Sequence, residues 1–527
     1  MPFHLMPDVT YVLSILYRAS PELGLMALSC IVFLVGTFVR AKAVWMLVGC
    51  LGLAVATLLT GIQGLAGFPA QHDFFAFDDV STAIRLFSPL LGIVILPVLL
   101  ADSNNERAAD MTGCLLCACA GVSIVAISGD LIVLFLGLEA VSIPSYVMLY
   151  LAKADKRGQE AAAKYFLLSV FSSALLLFGL SYLYGLTGQT RILASHGDAL
   201  SPGILETLSD SSSQRFGAPR TLAVALVFVV AGLGMKITAV PFHFYAPDVY
   251  QGTSAAMAGF LSWFPKAAGL VALVRVLGLA SVHGEPFGGM DGTLIWILAV
   301  VTMTIGNCLA IWQGNLRRLL AYSGVAQGGY MLASLAAGPA THNGVGGVGP
   351  MVFYLASYGI MSLGAFAILA YLDDPDLPLG HSDDLAGLAY RSPCAAFSLA
   401  VCLLGFLGLP LTVGFVAKAQ VILATIGSPA SPNSALIGIL GLLIVVNAAV
   451  AAWYYLGLIQ RMVLRLPIGP QPKLGSSIPL ISGTCCAILT VLLGVAPGLL
   501  SQLTHVRQGS KSHAQQPAVE GILASRR

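Results

Sequence analysis

The chain has 527 residues, of which 57% are hydrophobic and 9% charged, with a formal net charge of +2 and a mean hydropathy of +0.87. Soluble domains carry about 25% charged residues and nucleic-acid binders need a basic surface, so both classes are excluded, and long apolar runs exclude disorder. A bilayer-spanning helix needs roughly 20 mostly apolar residues, and many such runs are present, so the sequence reads as an all-α multi-pass membrane protein whose surroundings are the lipid bilayer and not nucleic acid.

In chain order, the first apolar stretch has no basic segment before it and is cut by Arg18 too early to span. Neither a signal peptide nor a transit peptide is read there. Hydropathy punctuated by Gly, Pro and charge predicts about 14 spans. They lie at approximately 21–40, 43–62, 82–101, 111–128, 130–151, 163–187, 221–244, 254–280, 293–313, 318–337, 350–372, 393–421, 434–460 and 478–503. Two polar stretches interrupt the series, a Ser- and Gly-rich one at about 188–219 and an Asp-rich one at about 373–391. A polar tail follows from Thr504.

Orientation follows from Lys and Arg placement. Loops after odd-numbered spans carry Arg40, Lys42, Arg107, Lys153, Lys156, Arg157, Arg317, Arg318, Arg391, Arg461, Arg465 and Lys473. Loops after even-numbered spans carry only Arg85, Arg191, Arg215 and Arg220, although the two termini add Arg18, Arg507, Lys511, Arg526 and Arg527 to that side. Short loops weigh more than tails, so both termini are expected outside and the odd loops in the cytoplasm.

Ten Cys are present, with Cys114, Cys117 and Cys119 close together. No His or second CxxC accompanies them, so they read as small apolar packing and not as a metal site. No haem, flavin, nicotinamide or Fe–S fingerprint is present, so any redox chemistry is expected in other proteins.

The informative residues are ionisable groups inside the spans, where a central charge costs about 2.5–3.5 kcal/mol on insertion scales. They are Glu139, Lys236, Lys266, Arg275 and Lys418, with Lys164 one turn into its span and Glu139 as the deep acid. Arg275 is near enough to a membrane face to snorkel and reads as structural. Burial disfavours an ammonium and a nearby carboxylate favours it, so a Lys–Glu contact that forms and breaks is a switchable proton site. Fixing helix register is the competing role for such a pair.

Two spans are interrupted. Gly232, Gly234 and Pro241 surround Lys236 in the seventh, and Gly405, Gly408, Pro410 and Gly414 precede Lys418 in the twelfth. Pro removes a helix hydrogen bond, and broken helices at membrane depth persist only where protein or water satisfies the freed backbone. Two such spans five apart suggest two inverted five-helix repeats, spans 4–8 and 9–13, a pattern of transporters. This divides the chain into a three-helix segment at about 1–110, repeats at about 111–280 and 281–460, and a last span with the tail at about 461–527. His243, seven residues after Lys236, would share its face two turns on if the break allows, and a neutral imidazole there can relay a proton or simply hydrogen-bond.

Several segments then resemble the antiporter-like subunits of respiratory complex I: LEAVSIPSYVMLYL (138–151), VPFHFYAPDVYQGTSAAMAGFLSWFPKAAGL (240–270), NLRRLLAYSGVAQGGY (315–330), LGLPLTVGFVAK (407–418) and NAAVAAWYYL (447–456). The VPFHF…PDVYQG form is similar to subunit N, whereas sister subunits L and M read closer to PLHxWLPxAH. The resemblance covers about residues 20–500, and the long lateral helix of subunit L is missing. It implies that Glu139 modulates Lys236, that Lys236 is the central proton carrier, that Lys266 bridges the half-channels, and that Lys418 is the exit residue, where subunit M carries Glu. Lys164 and His243 match auxiliary polar positions. Where the family commonly reads AYSSIAH this chain has Gln327, which cannot titrate and puts a proton relay through the tenth span in question.

The resemblance further implies a proton-translocating subunit of NADH:quinone oxidoreductase without redox centres of its own. NADH, FMN, Fe–S clusters and quinone belong to other subunits, K- and M-type subunits are its neighbours, and a bacterial inner membrane is its location. Quinone reduction elsewhere would alter the Glu139–Lys236 interaction and drive a proton through Lys266 to Lys418. Two other readings stay open here: a subunit of a cation/proton antiporter or energy-converting hydrogenase, and a structural scaffold.

Overall fold

The computed structural model describes residues 9–65, 71–72, 75–153, 155–192, 203–204, 207, 218–280, 290–338, 346–373, 379–426, 434–466 and 474–504. Nearly all of this is helix: α1 (Val9–Arg18), α2 (Ser20–Gly36), α3 (Lys42–Leu65), α4 (Asp79–Asp102), α5 (Ala108–Ile127), α6 (Leu131–Ala152), α7 (Lys156–Thr187), α8 (Ala218–Ile237), α9 (Ala246–Gly252), α10 (Ala255–Ala280), α11 (Met290–Ile311), α12 (Leu316–Ala336), α13 (Val348–Leu372), α14 (Leu388–Arg391), α15 (Pro393–Leu407), α16 (Val413–Ile426), α17 (Ser434–Leu464), α18 (Ser477–Val495) and α19 (Gly498–Thr504). The exceptions include a 3-10 turn at Ser382–Leu385 and a two-residue antiparallel ribbon, Gln71–His72 with Phe75–Ala76. Ten of the described helices are long and apolar enough to cross a membrane, and the α1–α2 pair, bent by 68°, makes an eleventh if it is counted as one broken span. Arg215, Lys473 and the basic residues of the tail, used above for orientation, lie outside the described residues.

Polar side chains set the helix starts at the membrane faces. Asp78 and Ser81 form a capping box at α4, while Asp130, Asp155 and Asn315 accept from the first-turn amides of α6, α7 and α12. These groups satisfy backbone donors that have no partner within the helix. The apolar windows of α13, α10 and α5 are 100%, 89% and 83% buried, against 28% for α3 and for α18. The first three therefore form the bundle centre and the last two its lipid-facing rim. In the Cys cluster, Cys117 donates to the Ala140 carbonyl, 3.6 Å away, and Cys119 to that of Ser88 at 3.7 Å.

Both expected breaks are present. α8 stops at Ile237, and the chain turns through Thr238 (φ 63°) before α9. α15 stops at Leu407, and the chain passes Gly408 (φ 84°) and Leu411 (φ 77°) before α16. Gly408 is required twice over, by its left-handed backbone and by space, since a Cβ there would meet Lys418 Cδ at 3.0 Å.

The N-terminal segment departs from the sequence expectation. Arg85, counted above with the outer loops, lies in the second turn of α4 and is 4% exposed. It ion-pairs with Glu22, itself 2% exposed, at 2.6 Å and also donates to the Arg18 carbonyl and to Gln63. Glu22 lies in the first turn of α2, so this buried pair sits at a helix end.

Candidate proton-relay site

Lys236 occupies the last turn of α8, at the negative end of the helix dipole and beside the break. Its ammonium donates to Ser142 Oγ at 2.6 Å, and its nearest carboxylate oxygen is Glu139 Oε1 at 3.9 Å. Glu139 and Ser142 are three residues apart on α6 and so face the same way. Glu139 Oε1 in turn accepts from Ser173 Oγ at 2.5 Å, from α7. The pair is asymmetric: the Lys236 side chain is 5% exposed and that of Glu139 is 22%. One end is sealed in protein and the other reaches a lateral surface.

Lys266 is 1% exposed in α10, directly after Pro265. It donates to the Gly324 carbonyl of α12 and sits over the Tyr358 ring, 4.9 Å from its centroid. Gly324 and Gly328 line it, since Cβ atoms there would lie 3.6 and 3.8 Å from its nitrogen, ordinary contact distances. The Gly328 position also faces the Ile237 carbonyl at 3.2 Å, so α12 lies against both Lys266 and the α8 break. Among the described residues, Lys266 forms no carboxylate contact.

Lys418 lies in the second turn of α16 and folds back over the break. It donates to the Phe406 and Leu407 carbonyls at 2.7 and 2.8 Å, and its nitrogen is 5.1 Å from the centroid of the Tyr330 ring. Those carbonyls end α15, so the ammonium occupies the negative pole of a half-helix. Gln327 reaches the same point: its Nε2 donates to the Phe406 carbonyl at 3.3 Å.

The auxiliary residues are placed differently. Lys164 is at a membrane face, 2.8 Å from Glu160 and 2.9 Å from Asp248, and it lines a polar cleft of about 300 Å³ with Arg157 and Gln251. Asp248 also pairs with Arg318 at 2.5 Å, tying α7 and α9 to α12. His243 lies beyond the end of α8, so the helical spacing to Lys236 does not apply. Its Nδ1 is buried with no hydrogen-bond partner among the described residues, and its ring centroid is 6.3 Å from that of Tyr322. Arg275 makes a two-toothed ion pair with Asp78 and binds the Ala126 carbonyl, a structural clamp at a membrane face.

The arrangement thus brings Lys236 to Glu139, and Lys266 and Lys418 to the middle of α12, at Gly324 and at Tyr330. Sequence reasoning missed the hydroxyls, Ser142 and Ser173. The available signal was the three-residue spacing of Ser142 from Glu139.

Residues 128–444 match the family described as NADH:quinone oxidoreductase/Mrp antiporter, TM. A relative from Solibacter usitatus, NADH-quinone oxidoreductase subunit N 1, is 35% identical over 82% of this chain and 84% of its own length. A chain of respiratory complex I from Thermus thermophilus with bound aureothin superposes with a TM-score of 0.74 at 27% identity, covering 93% of this chain and 100% of that one. A chain of the Mrp complex from Dietzia sp. has the same fold, with a TM-score of 0.73 at 19% identity over 93% of this chain and 96% of its own.

Proposed function

The chain belongs to the family of NADH-quinone oxidoreductase subunit N, and from that premise we propose that Lys236, Lys266 and Lys418 carry protons across the membrane while quinone is reduced elsewhere in the complex. It is an antiporter-like, multi-pass subunit of a respiratory complex, and other subunits of that complex are its partners. K- and M-type subunits are the neighbours we assign to it, in a bacterial inner membrane with both termini on the outer side. NADH, FMN, Fe–S clusters and quinone are assigned to those other subunits. About 14 crossings in two inverted five-helix repeats, α5–α10 and α11–α17, fit the two helix breaks.

The observation that carries this reading is the contrast around Lys236. Its ammonium is bonded to a neutral hydroxyl, while the Glu139 carboxylate stands 3.9 Å away and is held by a different hydroxyl. The contact is loose enough to be made or lost by a small movement. In a low-dielectric interior such a change alters proton affinity strongly, and one pKa unit corresponds to about 1.36 kcal/mol. Carrying one charge against about 100 mV takes about 2.3 kcal/mol. A perturbation reaching the partly exposed Glu139 from a neighbour therefore has the size needed to load or unload Lys236. Protons pass from Lys236 to Lys266 and then to Lys418, with cytoplasmic uptake and external release. Lys164 and His243 act as auxiliary groups at the faces of this route.

Substituting Lys236→Ala in the assembled complex tests the assignment. Proton pumping per NADH oxidised, read in sealed membrane vesicles, is expected to collapse. Full pumping stoichiometry in this variant would leave the lysine chain with only a structural role.

A further inference from the structure

Between Lys266 and Lys418 lies a small buried polar network built from α12, α13 and α17. Gln327 Nε2 donates to the Phe406 carbonyl and to Tyr455 Oη, both at 3.3 Å, and Gln327 Oε1 accepts from Tyr354 Oη. Tyr455 Oη is also hydrogen-bonded to Ser323 Oγ. Gln327 and Ser323 are 1% and 2% exposed and Tyr455 is fully buried. A buried amide and its neighbours are costly unless satisfied, and here both ends of the Gln327 amide are used.

The network reaches the two lysines through backbone carbonyls. Ser323 precedes Gly324, whose carbonyl accepts from Lys266. The Phe406 carbonyl accepts from Gln327 and from Lys418 together. Stacking of the Tyr455 ring on Phe406, with centroids 5.9 Å apart and 22° between planes, fixes where the phenol hydroxyl points. The amide of Gln327 can orient a hydroxyl, but it has no accessible protonation step of its own. Ser and Tyr hydroxyls each donate one proton and accept another, so they can pass a proton on while staying neutral.

We propose that the Ser323–Tyr455 hydroxyl pair passes the proton between Lys266 and Lys418, and that Gln327 is the positioning residue that holds Tyr455 in line. The proposal rests on the relay reading above. In the step, the Lys266 ammonium loses a proton to a bridging water, which protonates Ser323 Oγ as that oxygen releases its own proton to Tyr455 Oη. Tyr455 releases its proton through a second water to the Lys418 amine. One O–H bond breaks and one forms at each hydroxyl, and the net change is one proton moved from one lysine to the other. Rotation of the two hydroxyls resets the pair.

The test uses the assembled complex in sealed membrane vesicles, with complex content checked on native gels. Tyr455→Phe keeps the ring and removes the hydroxyl; pumping is expected to fall about fivefold or more, the scale of one buried hydrogen bond. Ser323→Ala, a smaller change, is expected to do the same and decides the matter if the Phe variant does not assemble. Gln327→Leu is expected to lower pumping about as far as Tyr455→Phe and to add nothing further in the Tyr455→Phe background, a non-additivity that a residue that only fills space would not give. Parent-level pumping in Tyr455→Phe or Ser323→Ala, with Lys266→Ala inactive, overturns the inference and leaves the relay standing. Parent-level pumping in Lys266→Ala as well would remove the relay itself. Losses in Gln327→Leu and Tyr455→Phe that simply add in the double variant, or parent-level pumping in Gln327→Leu, overturn the positioning role.

Discussion

Lys236 and Lys418 occupy matching places, each at the negative end of a half-helix beside a break, yet their surroundings differ. Lys236 has a hydroxyl in contact and a carboxylate 3.9 Å away, and that carboxylate reaches a partly exposed surface. Lys418 has only two backbone carbonyls and an aromatic face. The broken helix supplies orphan carbonyls to Lys418, whereas at Lys236 a hydroxyl and a nearby full negative charge are found. The lesson is that carbonyl dipoles position a buried lysine, whereas a nearby carboxylate is what allows an outside event to change its proton affinity. The first site is built to be switched and the second to follow.

Removing either ammonium is the most drastic test of that contrast. Lys418→Met leaves the Phe406 and Leu407 carbonyls without their donor, and vesicle pumping is expected to drop about 100-fold, as when a positioned proton-transfer group is lost. A mild phenotype there would break the comparison by making the second site dispensable. Glu139→Gln keeps an acceptor for Ser173 but deletes the charge. A loss of about tenfold in coupled NADH oxidation, one pKa unit of lost coupling, is expected; no change would mean that the first site is no more switchable than the second. Ser142→Ala removes the direct partner of Lys236 and should cost about fivefold in the same assay. Asp248→Asn cuts the ionic tie from Lys164 to Arg318, and thus between the two halves. These charges are exposed to solvent screening, so less than about a fivefold change in pumping rate is expected.

Much of this was legible in the chain because membranes make errors expensive. Lys236, Lys266 and Lys418 stand out in apolar runs, and GLGMKITAVPFHF and GFLGLPLTVGFVAK announce their breaks through Gly and Pro. The breaks appear at Ile237 and Leu407 as the sequence suggests. Other features were hidden. The relation of His243 to Lys236 failed because helical spacing carries no meaning across a break. The Glu22–Arg85 pair was not foreseen, since hydropathy averages a window and does not reveal a partner 63 positions away. Gln327 looked like a lost relay residue, but its neighbours Tyr354 and Tyr455 supply hydroxyls that one-dimensional spacing could not place beside it.

The sequence by itself determined that this is a helical membrane protein, which charges are stranded in it and where two helices must break, because each of those follows from local composition set against an apolar solvent. Only the tertiary structure decided the partners. Ser142 meets Lys236 across 94 residues, and Lys266 meets the Gly324 carbonyl across 58. Such contacts depend on which helix faces pack together, and that is settled by the whole bundle rather than by any single span.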